Sequence, residues 1–326
     1  LELLKNEFPE LEHTRMPGAT VRYSRGKSQV GTMARQWPGL LRSIGRERTL
    51  LDRVIDEHRI AAVISDQRFG LHSARVPSVI ISHQIFPRAP LLQVLLRNWN
   101  LRQLARFDRV WIPDHAAAPG LAGELSHGTR SPEHALYIGP LSRMVPLELS
   151  TVRGFICVAV LSGPEPQRAL LEEKLIARLQ DVPGRHLLVR GVPGSNGEKR
   201  IGNVMVLDRV NDTMQLAEAM CNADMIIARS GYSTIMDLHA IGRNALLIPT
   251  PGQPEQEYLA TIHARSGRFL TQQQDAIDLE AAFRHKFAHP DRTNNPGSSP
   301  GKAPQRTTNN HPLEHALHDL AAMIHP

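Results

Sequence analysis

Short apolar runs recur along this chain, each bounded by turn-forming or polar residues, with helix-patterned segments between them. The first half has "AAVISD" (61–66), "SVIISH" (78–83) and "RVWIPD" (109–114). The second has "FICVAVLSG" (155–163), "HLLVRG" (186–191), "VMVLDRV" (204–210), "DMIIARS" (224–230) and "NALLIPT" (244–250). The runs are near-continuous rather than alternating. A strand reads that way when both its faces are buried, and a parallel sheet covered by helices buries both. Helical spacing marks 40–58, 167–180, 212–223 and 233–242, with Asp212 and Ser233 as expected caps. The predicted fold class is therefore α/β, with two doubly wound, Rossmann-like parallel-sheet domains.

A length of 326 residues suits two domains. The expected boundary lies near "IGPLSRMVPLELS" (138–150), giving a first domain over 1–148 and a second over 149–287. Residues 288–312 are rich in Pro, Gly, Asn and Ser and read as a disordered linker. A terminal amphipathic helix is expected within 313–326. The two cysteines, Cys157 and Cys221, are far apart in apolar or helical settings, which predicts buried free thiols in a reducing compartment. No apolar run reaches the ~18 residues of a membrane span. The net charge of +6 is unevenly placed: 20 Lys+Arg face 14 Asp+Glu in 1–148, against 18 and 18 in 149–326. A basic first half points to an anionic partner or to a solvated basic face.

In doubly wound sheets, ligands sit outside the carboxyl ends of the strands. Those ends in the second half carry Ser162-Gly163, Arg190-Gly191, Arg229-Ser230-Gly231 and the loop with Gln253, Gln256 and Glu257. Small residues let backbone approach a phosphate, a helix N-terminus presents free N–H groups, and arginine adds a planar fork. The stretch "RSGYST" predicts a diphosphate at Ser230–Thr234, including Ser233, with sugar hydroxyls on the Gln/Glu loop. Each feature alone also serves as an ordinary helix cap or turn. Their order along the chain is the informative part.

That order, over "ADMIIARSGYSTIMDLHAIGRNALLIPTPGQPEQEYLA" (223–260), resembles the C-terminal donor domain of MurG-like GT-B glycosyltransferases, family 28. The resemblance is closest over 154–260 and extends, more loosely, across 50–285. It implies two such domains facing across a cleft and transfer of a sugar from a nucleotide-sugar, UDP-linked, to an acceptor hydroxyl by inverting displacement. It implies no cofactor and no metal, and no DxD-type motif is evident. Asp237 matches the acid that bonds the ribose hydroxyls, where the family usually has Glu. Gln256 and Glu257 match a Gln-Gln pair on the donor sugar. Ser162 and Gly163 match the first phosphate-side loop, and Arg190 is placed near base or phosphate. The family opens with a strand and a Gly-rich loop carrying a His, the usual candidate base, and the chain is expected to begin after it. Asp66 and His83, at strand ends, are the remaining candidates for a base.

The segment 86–109 spaces Arg97, Arg102, Arg106 and Arg109 among Leu91, Leu92, Leu95, Leu96, Trp99 and Leu101. Such a helix suits an anionic membrane, or is an ordinary domain helix with a solvated face. The resemblance implies a cytoplasmic enzyme, peripheral on the inner face of the plasma membrane, with a lipid-linked acceptor. His311, His315 and His318, and His285 with His289, have metal-like spacing but flank the linker, so no metal is expected there. No nucleic-acid motif appears. Two other readings fit the same pattern: a nucleotide-sugar epimerase of this architecture, and a non-catalytic protein that binds sugar-nucleotide or membrane.

Overall fold

A computed structural model describes residues 8–14, 16, 30–88, 92–128, 131–147, 154–192, 194–210, 212–285 and 311–325. The chain divides into two compact units, one mainly Met33–Leu141 with Pro296–Pro326, the other mainly Ser142–Asn295. The disordered linker expected over 288–312 lies almost wholly outside the described residues.

In the first unit, α1 (Val30–His58) precedes β1 (Val63–Asp66), β2 (Ser78–Ile81), α2 (Gln93–Leu104), β3 (Arg109–Ile112) and β4 (Ala135–Tyr137). The strands form one parallel sheet in the order β1-β2-β3-β4. The period of two in a strand sends neighbouring side chains to opposite faces. Ile80, Val110 and Ile112 thus pack with Leu104 and Phe107, at and just after the end of α2. Val79 and Trp111 face the other way and meet Ala316 and Leu320 of α8 (Pro312–Ile324). A two-pronged ion pair, Arg109 Nε to Asp319 Oδ2 at 2.7 Å and Nη2 to Oδ1 at 3.1 Å, fixes that last helix. The C-terminal helix therefore completes the first unit instead of standing apart. Asp114, fully buried at the end of β3, accepts from the N–H groups of His115, Leu121 and Ala122 and from Ser126 Oγ, which folds the following loop around one carboxylate.

The amphipathic expectation for 86–109 needs correction. Among the described residues of that segment only Gln93–Leu104 is helical, and it buries Asn100 and Gln103 while Leu92, Val94 and Leu95 stand exposed. The reason is local. Asn100 Nδ2 donates to the carbonyls of Gln84 and Ile85 at 2.8 and 3.0 Å, supplying a donor to backbone that lies outside the sheet ladder.

The second unit runs β5 (Cys157–Val160), α3 (Gln167–Leu179), β6 (His186–Val189), β7 (Glu198–Ile201), β8 (Val204–Leu207), α4 (Thr213–Asn222) and β9 (Met225–Ala228). It continues with α5 (Tyr232–Ala240), β10 (Leu246–Leu247), α6 (Pro254–Arg265), β11 (Leu270–Thr271) and α7 (Leu279–Arg284). The sheet order is β11-β10-β9-β5-β6-β8-β7, parallel except for the β7/β8 hairpin. Its core joins Cys157, Ala159, Leu188, Val206 and Ile227 to Leu171, Leu175 and Leu179 of α3. The charged strand β7, "EKRI", protects the outer edge. Both cysteines are buried and unpaired. Asp212 caps α4 by accepting from Met214 N at 2.8 Å, whereas the cap of α5 is Gly231, two residues before the expected Ser233.

From β5 the chain builds outward through β6 and β8, then returns to place β9 on the other side of β5. That reversal opens a crevice at the carboxyl ends of β5 and β9. Gly191, at the end of β6, is part of its support. Its φ is +66°, and a Cβ there would stand 2.5 Å from the carbonyl oxygen of Leu161. Gly191→Ala is expected to cost about 1–3 kcal/mol, since backbone must yield and the conformation favours glycine. A lowered denaturation midpoint with unchanged m-value would show it; an unchanged midpoint would contradict it.

Candidate nucleotide-sugar site in the second unit

The fully buried strand β9 ends in Arg229, Ser230 and Gly231 before α5 begins. Gly231 makes no side-chain cap, so the first-turn N–H groups of α5 have no cap side chain on them. A Cβ placed on Gly231 would have only Gln256 Nε2 within 4.0 Å, among the described residues. A Cβ on Gly163, where φ is +100°, would likewise have only Thr250 Oγ1, at 4.0 Å. At each glycine a Cβ would stand at ordinary contact distance from a polar atom. The first-turn N–H groups of α5 and the Gln256 amide are donors, a combination that suits an anion.

Gln256 is oriented by its own loop. Its Oε1 accepts from Thr250 N at 2.8 Å and its carbonyl accepts from Ser230 Oγ at 2.8 Å, which leaves Nε2 toward Gly231. Glu257 Oε1 accepts from Gly252 N at 2.8 Å. The side chains expected to hold sugar hydroxyls therefore first brace the 250–252 turn. Gln253 caps α6 through its backbone, and its Oε1 is buried with no hydrogen-bond partner. Ser162 is exposed beside Gly163, and Ser233 is exposed in the first turn of α5.

Asp237 and Thr234, one turn apart on α5, line a cavity of about 140 Å³. Val160, Val210, Leu216 and Met220 give it an apolar wall, and Arg143, Met144 and Thr213 complete it. Asp237 Oδ1 accepts from Ser142 Oγ at 2.6 Å. Burial raises the Asp237 pKa above the ordinary carboxyl value, against the lowering effects of Ser142 and Arg143. An acid, two threonines and an arginine around an apolar slot match the needs of a nucleoside: flat apolar walls for a base and acceptors for ribose hydroxyls.

Both predicted arginines need correction. Arg229 has no exposure. Its Nη1 donates to the carbonyls of Ile248 and Pro249, each at 3.2 Å, and its Nη2 to Gln167 O and Gln274 Oε1, each at 2.7 Å. Burial pushes this guanidinium down to about 10. It is a strut that ties the ends of β9 and β10 to the start of α3, not a fork facing a ligand. Arg190 donates from Nε to Glu172 Oε2 at 2.8 Å and from Nη1 to Asp208 Oδ1 at 2.7 Å, so two carboxylates already meet its charge. Glu172 and Asp208 raise the Arg190 pKa, while hydrogen bonds from Ser195 and then from Arg190 lower that of Asp208.

Asp66 and His83 lie in the first unit, at the carboxyl ends of β1 and β2. Asp66 is exposed, and His83 Nδ1 is 3.2 Å from Gln67 Nε2. The sequence pattern gives no role to Arg143, Val210 or Thr213. Arg143 sits in the "IGPLSR" stretch at the domain boundary, but nothing local says that its neighbour Ser142 reaches Asp237.

The family model for the glycosyltransferase family 28 C-terminal domain matches residues 202–303, a range that holds α5, Asp237 and the 250–257 loop. Over that range the second unit is similar to the glycosyltransferase family 28 C-terminal domain. The chain is similar to a UDP-N-acetylglucosamine–N-acetylmuramyl-(pentapeptide) pyrophosphoryl-undecaprenol N-acetylglucosamine transferase of Paramagnetospirillum magneticum. The two are 29% identical over 185 residues, covering 53% of this chain and 49% of the relative. The same enzyme of a Methylobacterium species is 32% identical over 134 residues, 38% of this chain and 33% of the relative. The chain thus spans a third to a half of these relatives. The chain has the GT-B fold. It is similar to the glycosyltransferase SnogD of Streptomyces nogalater (TM-score 0.51, 14% identity, 92% of this chain and 76% of that one). It is also similar to the glycosyltransferase of kitacinnamycin (TM-score 0.52, 14% identity, 95% and 81%). At that identity the likeness is one of fold.

Proposed function

We propose that this protein is a glycosyltransferase that moves a sugar from a UDP-sugar to an acceptor hydroxyl by inverting displacement. The observation that carries the reading is Asp237 with Thr234 in the cavity beside the N-terminus of α5, a helix that opens on Gly231. Asp237 accepts from ribose hydroxyls, and the apolar wall receives the base. The helix N-terminus, Gln256 Nε2 and Arg143 hold the charge that grows on the departing diphosphate. Gln253 Oε1 and Glu257 take sugar hydroxyls. Asp66 or His83 removes the proton of the acceptor hydroxyl as it attacks the anomeric carbon.

The acceptor in this reading is lipid-linked, and the enzyme works peripherally at the cytoplasmic face of the plasma membrane. Exposed Leu92, Val94 and Leu95 form an apolar surface suited to contact with lipid. Among the described residues no helix is long and apolar enough to cross a membrane.

Calorimetric titration of UDP and a panel of UDP-sugars tests the donor assignment. Saturable binding of UDP and preference for one sugar are expected. Absence of binding to any nucleoside diphosphate would sink the transferase reading and leave the fold intact. Conversion of the sugar without an acceptor would replace it with epimerase activity.

A further inference from the structure

The carboxyl ends of β1 and β2 are joined by a short polar relay. Gln84 N donates to Ser82 Oγ at 3.2 Å, Ser82 Oγ donates to Gln67 Oε1 at 3.2 Å, and Gln67 Nε2 lies 3.2 Å from His83 Nδ1. The first bond sets the direction, because a backbone N–H can only donate. Ser82 is 1% exposed, so its own proton needs a protein acceptor, and Gln67 Oε1 supplies it. The amide oxygen is thereby turned to Ser82 and the amide nitrogen to His83. An amide nitrogen donates and does not accept. His83 Nδ1 therefore accepts, and the neutral ring carries its proton on Nε2.

Gln67 makes this bond from a strained backbone. Its φ is +57°, in the left-handed region that side chains rarely adopt. The turn around it is held at several points. Gln67 N donates to Ile81 O at 3.1 Å, Ser65 Oγ to Arg68 O at 2.7 Å, and Arg68 Nη2 to Glu47 Oε1 on α1 at 2.7 Å. A Cβ on Gly70 would stand 2.6 Å from Glu47 and from the Ile44 carbonyl oxygen, so the turn sits directly on that helix. Strain that the surroundings hold in place is concentrated at functional positions.

We propose that Gln67 is a positioning residue that holds His83 with its proton on Nε2, so that Asp66 takes the proton of the acceptor hydroxyl. This rests on the transferase reading, in which Asp66 and His83 stand as alternatives. A ring nitrogen that carries a proton has no lone pair to offer, and the other nitrogen is turned to Gln67. Asp66 ends the adjoining strand and is exposed. In the transfer step the acceptor oxygen bonds the anomeric carbon. The bond from that carbon to the diphosphate oxygen breaks, its electron pair leaves on UDP, and the acceptor proton passes to Asp66.

Proton–nitrogen correlation spectra of histidine-labelled protein in alkaline buffer read the tautomer, with His83 assigned by its loss in His83→Asn. The wild-type ring is expected to be protonated on Nε2. Gln67→Glu sets a carboxylate against Nδ1 and is expected to move the proton to that nitrogen, a change that a merely structural role would not produce. UDP release from UDP-N-acetylglucosamine, with detergent-extracted bacterial membrane lipid as the acceptor source, is compared in wild type and Asp66→Asn. In the variant kcat is expected to fall about a hundredfold or more, with KM for the sugar nucleotide little changed. A wild-type ring protonated on Nδ1, or a Gln67→Glu ring like that of wild type, would overturn the positioning role. A kcat for Asp66→Asn within about threefold of wild type would overturn its part as the base. Absence of UDP release by the wild type would overturn the transferase reading and leave the tautomer assignment standing.

Discussion

Asp237→Ala is expected to weaken UDP binding by about 1–3 kcal/mol, roughly 5- to 150-fold, while the protein stays folded. The carboxylate is half-buried at the wall of the cavity, so ribose hydroxyls that bond it are paired out of water. Truncation leaves them unpaired in the same confined space. The Asp237 carboxylate accepts from Ser142 Oγ, and losing that one side-chain bond keeps the structural cost small beside the binding cost. Titration calorimetry gives the affinity and a melting curve gives the fold. Equal UDP affinity in wild type and variant would remove Asp237 from the site. The pH dependence has a definite sign. Burial raises the pKa of this carboxyl, and a ligand that donates to it favours the ionised form. UDP affinity through this contact therefore grows as pH rises past that raised pKa, and Asp237→Asn abolishes that component.

Arg229→Met is expected to cost about 3–5 kcal/mol of stability, more than any other substitution considered. Four acceptors, the carbonyls of Gln167, Ile248 and Pro249 and the Gln274 amide oxygen, lose a donor at once in a site closed to water. At that size the melting temperature should fall by at least ~6 °C. Arg229→Lys should rescue only part, because a single ammonium cannot reproduce the planar spread of the guanidinium. The result separates two roles for this arginine. A phosphate ligand would lose UDP affinity and keep its melting temperature; a strut loses the melting temperature first. A melting temperature within a degree of wild type would return Arg229 to the ligand role.

The near-continuous apolar runs determined the α/β class, because only strands buried on both faces tolerate them. Strand ends follow from the same runs, so the loops and the helix that carry Gly163, Gly231, Asp237 and Gln256 are legible in the amino-acid order. Asp212 is legible as a cap because a cap is a bond to a residue two positions away. The strands β4, β7 and β11 are not, since "ALY", "EKRI" and "LT" do not sit in long apolar runs. Tertiary structure alone decided which way each polar side chain turned after its strand ended. Arg229 turned inward because carbonyls from Gln167 and Ile248, distant in sequence, converge on it. Arg190 turned to Glu172 on α3 and Asp208 beyond β8. Local pattern fixes where a strand stops, but a buried polar group is satisfied, or left waiting, only by neighbours that the folded sheet brings to it.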